Sequence, residues 1–239
     1  MLGFGDLVLC AGTVVDARFE QHLEAAVAGG FAGVSVYPWR VRDAVDRHGS
    51  VDVLRRMVDD LGLEIADLDA ILDWVDLPKI AVPNVVPDQH QISKEEVLEL
   101  AAGLGARSVN LCDISQFPLQ PEQLIEPFAK VCDGAASYGL QASIEFVNIS
   151  CIDTLERAAA LVAGAGRPNG GVTLDTWHYN RGRSAPDHQV DRFADEVLML
   201  QVSDAPPYTG RDWWDETMNG RLLPGGRRLR PPWFATGCP

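Results

Sequence analysis

The sequence predicts an α/β protein, a (β/α)8-type barrel that is incomplete at its eighth β/α unit. Three observations carry this. Short apolar runs alternate repeatedly with longer segments of helical character, the pattern of a parallel sheet covered by helices. Polar, ligand-type residues stand at the ends of several different strands, and a barrel gathers its chemistry on that one face. No GxGxxG follows the first strand and no GxxxxGK[ST] occurs, which weighs against an open nucleotide-binding sheet. The 239 residues fall slightly short of the roughly 250 of a full barrel.

Leu7–Val14 (LVLCAGTV) reads as the first strand. Asp16 is a candidate cap for a helical segment that ends at Gly29–Gly30. Gly33–Trp39 (GVSVYPW) reads as the second strand, Val51–Leu61 as a helix stopped by Gly62, and Glu64–Leu72 as the third strand. Residues 73–92 form a long Pro-containing connection, of a length that suggests an active-site loop. Ser93 and Glu96 match a capping box and open the next helix. Ser108–Asp113 is a strand, Pro121–Tyr138 a helix closed by Gly139, and Gln141–Val147 a strand. Asp153–Ala163 reads as a helix, Gly171–Thr176 as a strand, Asp187–Asp195 as a short helix and Leu198–Ser203 as the seventh strand. The predicted barrel spans 1–225, and 226–239 is an atypical irregular tail.

With 34 acidic and 20 basic residues the net charge is −14. Such a chain repels nucleic acid and suits a small-molecule enzyme. The five cysteines show no CxxC spacing, and the expectation is reduced core thiols. No signal-peptide pattern opens the chain, and no apolar run approaches the ~20 residues of a membrane span. A cytoplasmic location with no membrane partner is expected. Trp213, Trp214 and Trp233 fall in the late, irregular region, where aromatic residues cover either an open barrel or a partner surface, so a homo-oligomer is a further expectation.

Three strand ends stand out. SIEFVN places Glu145 near the end of the fifth strand, VTLDTWH places Asp175 and then His178 at the sixth, and LQVSDA places Gln201 and Asp204 at the seventh. A lone acid at such a place is ordinarily a helix cap or a solvated loop residue. Glu145 and Asp175 differ because apolar neighbours flank them, and a buried carboxylate needs a cation or hydrogen bonds. Two carboxylates and an amide oxygen suit Mg²⁺ or Mn²⁺, and Zn²⁺ becomes plausible if a histidine joins them. His178, three residues after Asp175, either is a satisfied structural histidine or faces a substrate oxygen.

SIEFVN, GVTLDTWHYNRGR, LQVSDAP and NGRLLPGG together resemble the sugar phosphate isomerase/epimerase family, a group of xylose-isomerase-like TIM barrels. That group includes inosose dehydratase, hydroxypyruvate isomerase, ketose 3-epimerases and, distantly, endonuclease IV. The resemblance implies a divalent metal held by Glu145, Asp175 and Gln201, with Glu145 as the catalytic base. It implies that His178 contacts substrate, and that Arg181, Arg183 and Arg221 bind anionic or hydroxyl groups. Trp39, Asp67, Asp69, Asn110 and Asp113 are candidate pocket residues without assigned roles, and Trp39 is set among the substrate-binding ones. The implied activity is isomerisation or epimerisation of a small sugar or keto-polyol through an enediolate. A lyase that dehydrates an inosose- or dehydroshikimate-like ring is the alternative, and a degenerate, non-catalytic barrel is a third reading. A multi-metal nuclease of the endonuclease IV type is disfavoured, because of the five histidines only His178 sits clearly at a strand end.

The resemblance also implies a fourth ligand, a glutamate from an eighth strand, after an acidic turn. Here the chain reads GGRRLRPPWFATGCP, with no strand or helix period and no acid. An out-of-frame reading of a GC-rich gene is one hypothesis for it, because codons that can encode Arg-Leu-Arg-Pro-Pro-Trp read Asp-Phe-Asp-Leu-Arg one base over. Weak metal affinity and low activity are the expectation for this exact chain, and unpaired edges are expected on the first and seventh strands.

Overall fold

The computed structural model describes residues 1–3, 5–76, 92–115, 117–182, 190–207 and 212–225. Seven parallel strands form one sheet in sequence order: β1 (Val8–Leu9), β2 (Gly33–Val36), β3 (Glu64–Ile71), β4 (Ser108–Cys112), β5 (Gln141–Glu145), β6 (Gly170–Asp175) and β7 (Val197–Gln201). Their helices are α1 (Phe19–Gly29), α2 (Pro38–His48), α3 (Val51–Asp60), α4 (Lys94–Leu104), α5 (Ile125–Ser137), α6 (Leu155–Ala165), α7 (Thr176–Arg181) and α8 (Trp213–Asn219). Side-chain caps set several helix starts. Ser50, Ser93 and Thr154 accept from the N–H groups of Val53, Glu96 and Arg157, as a residue before the first turn does.

Strand direction alternates side chains between two faces. The outward residues are apolar: Val34, Val36, Leu68, Val109, Ile144 and Val172 are buried against the helix layer. Phe19, Leu54 and Phe128 fill that layer from the helices and are almost wholly excluded from solvent. The inward residues are polar instead, running Ser35, Asp67, Asp69, Asn110, Ser143, Glu145, Thr173 and Asp175, all on β2 to β6. The short apolar runs read in the sequence therefore alternate, residue by residue, with polar inward positions.

The sheet curls into an open barrel. Gln201 Nε2 on β7 reaches Asp69 Oδ2 on β3 at 3.3 Å, although β4, β5 and β6 lie between them in the sheet. Thr173 on β6 reaches Asn110 on β4 at 2.9 Å across the same interior. Among the described residues β1 and β7 pair on one side only, as the two edges of the sheet. No described helix is long and apolar enough to cross a membrane.

Four boundaries differ from the sequence reading. The first strand is confined to Val8–Leu9, and Ala11–Val14 turns as a 3-10 helix. Asp16 does not cap α1; Arg18 holds that position, and its N–H donates to Gln21 Oε1 at 3.0 Å. The second strand stops at Val36, and Trp39 lies in α2. Pro38 sits in the first turn of α2, where a missing N–H costs nothing; the apolar run Tyr37–Pro38–Trp39 hides that start. The short helix read at 187–195 is replaced, where described, by 3-10 turns over Val190–Glu196. Most of the 73–92 connection and the tail at 226–239 lie outside the described residues, as do Arg183, His90, His188 and Trp233. The described cysteines Cys10, Cys112, Cys132 and Cys151 are free thiols, of which Cys132 is buried in the core and the other three are half-buried.

Candidate active site

Parallel topology brings the ends of β5 and β6 side by side, and with them Glu145 and Asp175. Both are buried, at 7% and 0% exposure. Asp175 also begins α7. Its Oδ1 accepts from the N–H of Trp177 at 2.6 Å and of His178 at 3.3 Å, a cap that leaves Oδ2 for the barrel interior. The same cap fixes where α7 delivers His178. One ligand atom from each of Glu145, Asp175 and His178 lies within 4.8 Å of the others. The sequence expectation that the two acids converge at the rim holds, and the histidine joins them.

His178 Nδ1 lies 3.1 Å from Asn148 Oδ1, an acceptor, so the ring proton belongs on Nδ1. Nε2 is then the accepting nitrogen, and it faces Arg221. Burial pushes the imidazole down to about 3, with Asp175 opposing and Arg221 assisting. The 3.5 Å approach of His178 Nε2 to Glu145 is thus a neutral imidazole beside a carboxyl group, and not an ion pair. Burial raises Glu145 well above the ordinary carboxylate range, and the charges of Asp69 and Asp175 add to that. Asp175 goes the other way: burial raises it, but the Arg221 guanidinium, His178 and the Trp177 N–H together outweigh burial and hold it below its usual value.

Gln201 pairs in register with Asp175 at the end of β7. Its amide N–H donates to Asp69. Asp69 and Asn110, which the sequence marks only as pocket candidates, are central to the site. Asn110 Nδ2 donates both to Asp69 Oδ1 at 2.8 Å and to Glu145 Oε2 at 2.9 Å. The sequence signal for them is the alternation in ADLDA and SVN, which puts Asp67, Asp69 and Asn110 on the inward face. Asp67 lies deeper. Burial first, and then Asp69, push its carboxyl up to about 8, so it carries a proton at neutral pH.

The arginines divide. Arg221 is in the site: it donates to Asp175 Oδ2 and, at 2.9 Å, to His178 Nε2, and it stands 5.2 Å over the Trp177 ring. Asp204 holds that segment in place. Its backbone bridges to Leu222 in both directions at 2.8 Å, and its Oδ2 accepts from Gly225 N–H. Asp204, marked in sequence as a strand-end acid, is therefore an anchor for Arg221. Arg181 faces elsewhere, pairing with Glu216 of α8 at 3.0 Å and donating to the Pro206 carbonyl. Trp39 stacks on Tyr37 with ring centroids 4.1 Å apart, just beyond the end of β2.

Three carboxylates (Asp69, Glu145 and Asp175) thus face one guanidinium and a neutral imidazole. The donor set of carboxylate oxygen and imidazole nitrogen fits a divalent cation, whose charge would favour the ionised form of the raised Glu145.

Known proteins share this framework. A 3-dehydroshikimate dehydratase of Pseudomonas aeruginosa is 27% identical over 214 residues, covering 88% of this chain and 32% of that protein. A 3-dehydroshikimate dehydratase of Pseudomonas putida is 26% identical over 215 residues, with the same coverage of 88% and 32%. The chain thus spans about a third of the length of these curated relatives. Among solved structures, a fusion of a xylose isomerase-like TIM barrel with 4-hydroxyphenylpyruvate dioxygenase matches with a TM-score of 0.73 and 23% identity, over 90% of this chain and 34% of that one. The IolI protein, solved with a bound zinc atom, matches with a TM-score of 0.76 and 17% identity, over 92% of this chain and 80% of that one. A family model described as xylose isomerase-like TIM barrel matches residues 23–227, most of the sequence, and the chain belongs to that family.

Proposed function

We propose that this chain is a metal-dependent enzyme that removes a proton from the carbon beside a carbonyl in a small polyhydroxylated ketone and expels water from the next carbon. The observation that carries it is the convergence of Glu145, Asp175 and His178 in a buried, acid-rich centre. Glu145, Asp175, His178 and Gln201 are the residues that would hold the cation. Once bound, a divalent ion supplies the positive charge that an oxyanion next to the reacting carbon requires. Mn²⁺ or Mg²⁺ suits the oxygen donors, and His178 admits Zn²⁺.

Glu145 is the proton acceptor. Burial first, and then Asp69 and Asp175, raise its carboxyl, so it would hold the substrate proton once taken, and a bound cation would keep it ionised before that. That proton leaves with the β-hydroxyl as water, and carbon keeps a new double bond conjugated to the carbonyl. One carboxyl group suffices for such an elimination on one face. The 3-dehydroshikimate dehydratases among the relatives support the dehydration reading. Arg221 and Trp39 are proposed to contact the substrate, and Arg181 to brace α8 instead.

The test is incubation with 3-dehydroshikimate and a panel of ketoses in Mn²⁺, Mg²⁺ or Zn²⁺. Rising ultraviolet absorbance from a conjugated product, abolished in Glu145→Gln, is expected. An epimer formed with no absorbance change would move the assignment to the isomerases. Turnover unchanged in Glu145→Gln would remove the mechanism.

A further inference from the structure

One chain of hydrogen bonds joins four strands across the barrel mouth, and its order is Glu145, Asn110, Asp69, Gln201. The side chains around it set the polarity of each link. Asn110 Oδ1 takes the hydroxyls of Thr173 at 2.9 Å and Ser143 at 3.2 Å, so its Nδ2 must face Asp69 and Glu145. A carboxylate oxygen accepts. Asp69 Oδ1 is taken by Asn110, and its Oδ2 by Gln201 Nε2 at 3.3 Å. With its nitrogen committed to Asp69, the Gln201 amide turns its carbonyl oxygen the other way. Gln201 stands in register with Asp175 at the strand ends, beside the acid centre.

We infer that Asp69 is a positioning residue for the metal centre, orienting the Gln201 amide so that oxygen, and not nitrogen, faces the cation. An unoriented glutamine presents its NH₂ as readily as its oxygen, and the NH₂ repels a cation. Asn110 does the equivalent for Glu145, holding Oε2 so that Oε1 remains for the centre. The partner groups behind metal ligands commonly set affinity in this way, by about 10–100-fold. Asp69 is half-buried on the inward face of β3, and it reaches the centre through Gln201 and Asn110.

The inference rests on the metal-centre reading, and the experiment separates the two. Mn²⁺ affinity is measured by calorimetry and by the electron paramagnetic resonance of free Mn²⁺, on the full chain, with thermal melting of every variant as a folding control. The set is wild type, Asp69→Ala, Asp69→Asn, Gln201→Ala and Asp69→Ala/Gln201→Ala. Asp69→Ala is expected to weaken Mn²⁺ binding about tenfold, Asp69→Asn less, and the double variant no further than Gln201→Ala alone. A residue that merely supports the fold would lower affinity by the same factor with or without Gln201, and such additivity would overturn the inference. So would wild-type affinity in a folded Asp69→Ala or Asp69→Asn protein. Failure of the wild type to bind any Mn²⁺ would overturn both this inference and the metal-centre reading.

Discussion

Asp175 serves two partners at once: one carboxylate oxygen caps α7 through Trp177 and His178, and the other receives the guanidinium of Arg221. The cap fixes the backbone that carries His178, and Arg221 reaches the same histidine at Nε2. Arg221 is thus the positive charge inside an acid cluster, at the place where a cation would meet Asp175. Replacing it removes a counterion. Without added metal, Arg221→Met should lose about 1–2 kcal/mol of stability, less than the ~3–5 of a fully buried pair because its side chain is 34% exposed. Mn²⁺ should then raise the melting temperature of Arg221→Met more than that of wild type. Equal metal-induced shifts in calorimetric melting would contradict this competition.

Asp67 titrates in the wrong range for a carboxylate, and this has a signed consequence. Its folded pKa is raised to about 8, so between pH 4 and pH 8 the native state holds a proton that the unfolded chain has released. Stability therefore falls as pH rises through that window, and Asp67→Asn, which cannot ionise, escapes the loss. The melting temperature of Asp67→Asn relative to wild type should increase steadily from pH 5 to pH 8. A difference independent of pH would refute the assignment.

Arg181 and Glu216 form the buried brace between α7 and α8, with side-chain exposures of 9% and 2%. Removing one partner strands the other in the interior. Arg181→Met should cost about 3 kcal/mol in denaturant unfolding, and the double change Arg181→Met/Glu216→Gln should recover much of it. If Arg181 instead held substrate, its loss would raise KM while leaving stability near wild type.

Much of the candidate site was legible because its acids fall at strand ends in apolar surroundings. Glu145 and Asp175 were found on that ground, and the 3.5 Å approach of His178 to Glu145 puts the histidine with them. Asp69 and Asn110 could be named but not given roles. Their importance comes from contacts across the barrel between residues far apart in sequence, which periodicity does not encode. The three arginines looked alike in sequence. Arg221 and Arg181 separate only through Asp204, which anchors one, and Glu216, which captures the other. The fold class followed from repetition of strand and helix, while α2 was missed because Tyr37, Pro38 and Trp39 prolong an apolar run past the end of β2.

The most direct measurement is calorimetric titration of the purified chain with Mn²⁺, in wild type and in Glu145→Gln. Binding of one ion by the wild type, weakened at least about tenfold in a folded Glu145→Gln protein, is the expected result. Titrations that cannot be told apart would contradict the proposal that Glu145, Asp175 and His178 share a cation.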